Sequence, residues 1–337
     1  MSNSKLKLVG EKEFKNFCGD KEKKLVAGLG LFDGVHRGHQ EIIRRVVEEA
    51  EKIGGTPVLF TFSNPPETVV APARTPPLLI SPETKVMLSI RRGIDTVIMP
   101  EFTLDIAEQS PEDFVKQILV EKLKIHTVVA GFNYNFGAKR AGNMKLMSEL
   151  GEKYGFTSVT VDPVLVDDVR VSSTRIRNSL AVGSLEVASE MLGRPFHIEG
   201  KVVKGAGKAT DLAVPTANLE LKRKAIIPYG VYIVRVQKFI SDYPPWEGPV
   251  TMGIMNYGLR PTIVDITEKP DPVAEVHLFD YKGSLYGDKL GVAVLEFIRE
   301  EKHFPNEITL QAQIKEDVEY TMESISNWNV PDNLFGF

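Results

Sequence analysis

Residues Leu25 to Gln40 read LVAGLGLFDGVHRGHQ, and the class of the first domain follows from them. The first part, Leu25 to Phe32, is apolar and interrupted by glycine, which is typical of a buried strand. From Gly38 to Ile53 the apolar residues recur at helical spacing, at Ile42, Ile43, Val46, Val47 and Ala50. A buried strand that turns directly into a helix is the repeating step of a parallel sheet with helices on its faces.

The same step recurs up to about residue 130. Further strands are predicted at Pro57–Phe62, Thr96–Met99 and Thr127–Ala130. Helices are predicted at Pro82–Arg92 and from Pro111 to about Leu123, where Ser110 is the expected N-cap. Strands separated by helices of about 10–15 residues predict a Rossmann-like, doubly wound α/β domain.

The pattern changes after about residue 190, where short β-branched runs are separated by turns rich in Gly, Pro and Asp. They predict strands at His197–Val203, Gly230–Val236, Pro249–Ile254, Val273–Phe279 and Gly291–Phe297, and a last helix at Asn306–Ser326. We therefore expect a small antiparallel β-barrel with a C-terminal helix. The expected domains are residues 1–187 and 188–337.

Composition limits the class of protein. With 337 residues, of which 42% are hydrophobic and 26% charged, the chain is long enough for two globular domains. No apolar run reaches the ~18–20 residues of a membrane span, and Met1–Asp20 lacks a signal-peptide core. The single cysteine, Cys18, favours a reducing compartment, so we expect a cytoplasmic protein. The net charge of −4 argues against nucleic acid as a partner.

The turn between the first strand and helix carries Gly30, Gly34 and Gly38 together with His36 and His39. Glycine lets the backbone approach a ligand closely, and the first N–H groups of the following helix favour an anion. Both imidazoles can donate hydrogen bonds to phosphate oxygens. The turn therefore predicts a phosphate site at the carboxyl end of a strand.

Two later segments also favour phosphate binding. In VSSTRIR, at 171–177, hydroxyls at a helix start precede two arginines, which can grip phosphate oxygens in pairs. In the second half, Gly205 and Lys208 can form a flap over phosphates. The PTAN segment places Thr216 and Asn218 two residues apart, and their oxygens suit Mg²⁺ held jointly with a nucleotide.

The order of motifs along the chain adds a resemblance to a known family. HRGH at 36–39 is followed by TFSNPP at 61–66, AGFNYNFG at 130–137, VSSTRIR at 171–177, VPTAN at 214–218, NYGLRPT at 256–262 and EVH at 275–277. The first part resembles the nucleotidyltransferase superfamily. Over nearly its whole length the chain resembles the prokaryotic bifunctional riboflavin kinase/FAD synthetase family.

This resemblance implies an adenylyltransferase in the first domain. His36 and His39 would be catalytic and would contact the ATP phosphates. The other implied contacts of ATP are Gly30, Phe32, Gly34, Gly38, Ser173, Thr174 and Arg177, and those of the flavin are Phe62, Asn133 and Phe136.

For the second domain the resemblance implies a riboflavin kinase. Glu275 would be the general base, Thr216 and Asn218 would hold Mg²⁺–ATP, Gly205 and Lys208 would bind ATP phosphates, and Arg299 would lie near the flavin. Riboflavin, FMN and ATP are then the small-molecule partners, with FMN and FAD as products. We expect no membrane partner and at most a weak homo-oligomer.

Three alternatives stay open at this point. A cytidylyl- or pantetheine-type nucleotidyltransferase shares HxGH and SSTxxR, but would lack the PTAN and EVH segments. A monofunctional FAD synthetase with a degenerate kinase domain is suggested by Ala209 and Ala213, where the family usually has glycine. A flavin-binding regulator that has lost turnover would bind flavin without consuming ATP.

Overall fold

The computed structural model describes residues 7–203, 216–221, 223–239, 246–259, 272–279, 281, 283–302, 304–326 and 333–335. The chain divides into two units, Met1–Ser173 and Thr174–Phe337. Gly205, Lys208, Ala209 and Ala213 lie outside the described residues. None of the helices in the described ranges combines the length and the hydropathy that crossing a membrane requires.

A six-stranded parallel sheet forms the centre of the first unit, in the order β1-β4-β3-β2-β5-β6. The strands are β1 (Lys7–Val9), β2 (Leu25–Leu29), β3 (Thr56–Phe60), β4 (Thr96–Ile98), β5 (Thr127–Gly131) and β6 (Thr157–Val161). Every residue of β2 is buried. Since the chain goes from β2 to β3 on one side and later places β5 on the other, the carboxyl end of β2 is a switch point, where open α/β sheets bind ligands. The predicted Rossmann-like sheet is confirmed.

Helices connect these strands. They are α1 (Glu11–Asn16), α2 (Arg37–Ile53), α3 (Glu67–Val70), α4 (Pro82–Ile90), α5 (Leu104–Ala107), α6 (Pro111–Asp113) and α7 (Met144–Tyr154), with 3₁₀ turns at Lys21–Lys23, Pro72–Arg74 and Ala138–Arg140. A hairpin of β7 (Leu165–Val166) and β8 (Val169–Arg170) follows, and then α8 (Ser173–Ala181) and α9 (Leu185–Leu192).

The helix starts follow the expected capping chemistry. The Ser110 hydroxyl accepts from the backbone N–H of Asp113, and Pro111 takes the first helical position, as predicted. After this start the helix differs from the expected one: Phe114–Lys122 is a π-helix. The backbone N–H of Leu123 accordingly reaches the carbonyl of Ile118, five residues back.

A closed six-stranded barrel forms the second unit, in the order β10-β13-β12-β11-β14-β9, with antiparallel neighbours throughout. Its elements are β9 (Phe196–Val203), β10 (Thr216–Leu221), β11 (Gly230–Phe239), β12 (Trp246–Leu259), β13 (Pro272–Leu278), β14 (Lys289–Arg299) and the final helix α10 (Glu307–Ile325). Tyr232 and Tyr257 fill the interior, and the hydroxyl of Tyr232 donates to the carbonyl of Pro228 at 2.6 Å. The predicted antiparallel barrel with its C-terminal helix is confirmed.

The segment after α10 returns to the barrel. The guanidinium of Arg235 donates to the carbonyl of Leu334 at 2.6 and 3.1 Å, and the backbone N–H of Leu334 donates to Gln237 Oε1 at 3.0 Å. The ring of Phe335, 1% exposed, packs edge-on against His197 with ring centroids 5.0 Å apart. Leu334 and Phe335 are therefore part of the barrel core.

We expect Phe335→Ala to lower the free energy of unfolding of the barrel by about 3 kcal/mol, because it removes a large buried ring and leaves a cavity. Urea unfolding of the full chain followed by circular dichroism measures this loss. Ile308→Ala, at a side chain 77% exposed on α10, is the control and should change the value by less than about 0.5 kcal/mol. Equal, small effects of the two substitutions would show that the terminal segment does not stabilise the barrel.

Candidate functional site

The backbone after β2 makes a tight and strained turn. Phe32, Gly34 and Val35 all have positive φ, of 52°, 85° and 39°. A β-branched residue rarely adopts this conformation, which costs on the order of 1–3 kcal/mol and is concentrated at functional sites. The turn is held by two hydrogen bonds, from Val35 N–H to the carbonyl of Phe32 and from the Gln40 side-chain amide to the carbonyl of Val35. The structure thus fixes a specific loop at the switch point of the sheet.

His36 and His39 stack on each other at the start of α2. Their ring centroids are 3.7 Å apart with planes 14° from parallel, and the ring of Phe32 lies 5.1 Å from that of His39. His36 is the N-cap of α2, since its Nδ1 accepts from the backbone N–H of His39 at 3.3 Å. Because a Cβ on Gly38 would come within 3.3 Å of the His36 ring, glycine at this position leaves room for the imidazole.

Buried polar contacts join the turn to two other segments of the first unit. The Asp33 carboxylate accepts from the backbone N–H of Leu79 at 2.9 Å, and its main-chain carbonyl accepts from the Ser173 hydroxyl at 2.9 Å. The structure therefore brings Ser173 to the histidine turn, as the sequence motif led us to expect. Thr174 and Arg177 also lie on α8, but they belong to the second unit, which begins at Thr174. Their part in a phosphate site stays a prediction.

Titratable groups around the histidines have unusual environments. Burial, followed by the charges of His36 and Lys85, lowers the pKa of His39 well below its usual range. Lys85 on α4 is itself buried, and burial lowers its pKa to about 8, although the charge of Asp33 acts in the opposite direction. Sequence reasoning assigned no role to Lys85. The available signal was a lysine on the apolar face of α4, in register with Ser81 and Leu88.

The residues expected around the flavin differ in exposure. Asn133 is exposed, whereas Phe136 is buried among core residues, with its ring centroid 5.9 Å from that of Phe114. Phe62 is half-buried and packs edge-on against Phe102. The largest exposed aromatic of this loop is Phe132, 40% exposed and covered on one side by a guanidinium. Contacts of Phe62, Asn133 and Phe136 with a flavin stay predictions.

Three polar side chains lie in one row across the outer face of the barrel. Glu275 on β13 is directly opposite Asn218 on β10 and Asn256 on β12. Directly opposed residues have Cβ atoms about 4.5–5.5 Å apart and point to the same face. Thr216, two residues before Asn218 on β10, shares this face. The structure thus brings together Thr216, Asn218 and Glu275, and it adds Asn256, to which sequence reasoning gave no role.

Arg299 ends β14 on the same face, opposite Val231, whose other neighbour is Asn256. Its Nε and Nη2 donate to the carboxylate of Asp317 on α10 at 2.9 and 2.7 Å, and its Nη1 donates to the carbonyl of Glu300. Both side chains of this ion pair are largely buried. The pair fixes the guanidinium at the end of the strand, and its proposed contact with a flavin stays a prediction.

The donors on this face suit a hard cation. Thr216 offers a hydroxyl and Asn218 an amide oxygen, and these are oxygen ligands that Mg²⁺ accepts. No cluster of three or more His, Cys, Asp or Glu side chains that could hold a metal alone occurs within the described ranges. The residues therefore fit an ion shared with nucleotide phosphates rather than an all-protein cage.

Comparison with known families finds two different family matches, one in each half of the chain. Residues 19–175 match the FAD synthetase family, and residues 192–325 match the riboflavin kinase family. A bifunctional riboflavin kinase/FMN adenylyltransferase of Pseudomonas fluorescens is 35% identical over 293 residues, covering 87% of this chain and 90% of that protein. The Escherichia coli K12 protein of the same description is 33% identical over 292 residues, covering 87% and 90%.

A solved structure is also similar over nearly the whole chain. A crystal structure from Streptococcus pneumoniae, described as a macrolide-efflux protein, superimposes with a TM-score of 0.80 at 26% identity. The superposition covers 96% of this chain and 99% of that one. Both halves of the fold therefore occur together in a known structure.

Proposed function

This chain belongs to the bifunctional riboflavin kinase/FMN adenylyltransferase family, and from that membership we propose how its residues divide two successive phosphate transfers. The enzyme phosphorylates riboflavin to FMN with ATP and adenylylates FMN to FAD with a second ATP. The adenylyl transfer is assigned to residues 1–187 and the kinase to 188–337, a boundary that falls between the family matches at 19–175 and 192–325.

In the adenylyltransferase an FMN phosphate oxygen attacks the α-phosphorus of ATP. The new P–O bond forms as the bond to the β-phosphate breaks, and pyrophosphate leaves. We assign to His36 and His39 hydrogen bonds to the phosphates, so that they stabilise charge without becoming nucleophiles. The stacked imidazoles at the switch point of the sheet support this assignment. The ATP contacts that we assign to the turn are Gly30, Phe32, Gly34 and Gly38. The triphosphate contacts that we assign to α8 are Ser173, Thr174 and Arg177.

In the kinase the ribityl 5′-hydroxyl attacks the γ-phosphorus of ATP and ADP leaves. Glu275 takes the hydroxyl proton as general base. Support for this role comes from its exposed position on β13, directly beside Asn218. Gly205 and Lys208 cover the phosphates, and Arg299 orients the flavin.

Magnesium is the cofactor that we propose for the kinase. Thr216 and Asn218 would hold it jointly with ATP, and it would supply positive charge that neutralises the phosphates. Thr216 and Asn218 position the nucleotide beside Glu275.

Chromatography of a reaction that contains riboflavin, ATP and Mg²⁺ tests the function. FMN should appear first and FAD second, with one pyrophosphate released per FAD, and chelation of the metal should stop FMN formation. FAD formed from added FMN but never from riboflavin would instead identify a monofunctional FAD synthetase. Flavin binding without any product would identify a regulator.

Three further expectations from the sequence stay proposals. They are a cytoplasmic location, favoured by the single cysteine Cys18, a weak homo-oligomer at most, and the absence of a nucleic-acid partner, favoured by the net charge of −4.

A further inference from the structure

Lys85 is a buried cation that the two transfers described above do not use. It is 3% exposed on α4, and its Nζ donates to the carbonyl of Phe62 at 2.9 Å and to the hydroxyl of Thr61 at 3.3 Å. Within the described part of the chain it forms no ion pair. A buried ammonium without a carboxylate partner costs several kcal/mol or more, so an apolar side chain here would favour stability. The charge therefore calls for a reason other than folding.

The hydrogen bonds of Lys85 lead to the histidine turn. Thr61, which accepts from Lys85, donates its hydroxyl proton to the carbonyl of Leu31 at 3.0 Å. Leu31 immediately precedes the strained residues that begin at Phe32. Lys85 thus joins the carboxyl end of β3 to the loop that follows β2, which are the two sides of the switch point.

The charge of Lys85 also acts on the histidines. In the ranges that the structure describes, two titratable groups interact with this charge: Asp33, whose negative charge favours the protonated form of Lys85, and the imidazole of His39. The charge of Lys85 disfavours protonation of His39. His39 Nδ1 is buried and has no hydrogen-bond partner among the described residues. If His36 and His39 were both protonated, their rings, stacked at 3.7 Å, would repel each other. A positive charge on Lys85 does not cause this repulsion.

We propose that Lys85 is a positioning residue for adenylyl transfer: its hydrogen bonds through Thr61 and Phe62 fix the histidine turn against the end of β3, and its buried charge acts on the site beside that turn. The proposal rests on the assigned contact of His39 with phosphate. A positive charge that acts on His39 also favours negative charge brought to the histidine turn.

Lys85→Gln tests this proposal, because the amide can still donate to Phe62 but carries no charge. At pH 7 we expect FAD formation from FMN to fall roughly 10²-fold. Riboflavin phosphorylation by the same sample should stay within about twofold, because that step is assigned to the other domain. Lys85→Arg, which keeps the charge, should recover at least about tenfold of the loss.

The pH dependence separates a positioning role from a structural one. Without the charge the pKa of His39 rises, so the acid limb of the FAD-forming activity should move to higher pH in Lys85→Gln. In the unmodified enzyme this activity should decline above about pH 8, where Lys85 loses its proton. An unchanged pH profile in Lys85→Gln, or equal losses in the Gln and Arg variants, would overturn the proposal.

Histidine resonances of the unmodified enzyme give a second test that does not depend on folding of the Lys85 variants. With the His39 signals assigned by comparison with His39→Ala, they should show a ring that stays neutral well below pH 6.5. An ordinary titration would overturn the proposal. If the unmodified enzyme forms no FAD from FMN, the assigned function fails instead, and the two failures are distinguishable.

Discussion

Replacement of His39 by alanine should lower the rate of FAD formation from FMN by about 10²–10³-fold, the loss typical for a group that stabilises transition-state charge. The reason lies in its position. His39 stacks on His36 at 3.7 Å and follows a strained turn at the switch point of the sheet. Alanine removes both ring nitrogens, while the backbone N–H that donates to His36 stays in place.

Riboflavin phosphorylation should persist in His39→Ala, so that FMN accumulates where the unmodified enzyme makes FAD. Separation of the flavins by chromatography measures both steps in one reaction. His126→Ala is the matched control, since His126 is exposed in the same unit and its ring contacts Thr127. An equal loss of FMN and FAD would contradict the assignment of the two steps to separate sites.

Glu275→Gln should lower the rate of riboflavin phosphorylation by about 10²–10⁴-fold, the contribution usual for a general base. Glutamine has nearly the same shape and can still contact its neighbours, but it cannot take the proton of the 5′-hydroxyl. Because Glu275 is directly opposite Asn218 and Asn256, the substitution removes a base without opening a cavity.

Conversion of supplied FMN to FAD should continue in Glu275→Gln, because that step is assigned to the other domain. Glu220→Gln is the matched substitution, because Glu220 is an exposed carboxylate two residues beyond Asn218 on β10. An unchanged rate of riboflavin phosphorylation in Glu275→Gln would remove the base assignment, whatever the effect on FAD formation.

Capping and periodicity predicted many elements to within a few residues. Ser110 and Pro111 mark a helix start because capping depends only on residues within the first turn. Among the strands of the structure, the sequence did not indicate β1, β6, β7, β8 or β10. The first two are short strands near the sheet edges, and β10 begins inside the PTAN segment, whose polar residues face outward from the barrel. Nothing local marks the change to a π-helix at Phe114.

Candidate site residues were found where the chemistry is local. The histidines, Thr216, Asn218 and Glu275 belong to short motifs, and their residue types indicate phosphate, metal and proton transfer. Asn256 also begins a motif, NYGLRPT, but only the pairing of β12 with β13 places it beside Glu275. Lys85 had only a weak signal, since a lysine on an apolar helix face is informative only once its burial is known.

By itself, then, the sequence determined the two classes of fold, the strand-to-helix turn with its histidines and the polar motifs of the barrel, because those signals extend over one turn or one strand. Tertiary structure alone decided the order of the sheet, the row of Asn218, Glu275 and Asn256, and the burial of Phe136 and Lys85. Register, burial and the field of a distant charge are properties of pairs far apart in the chain, and local patterns carry almost no information about such pairs.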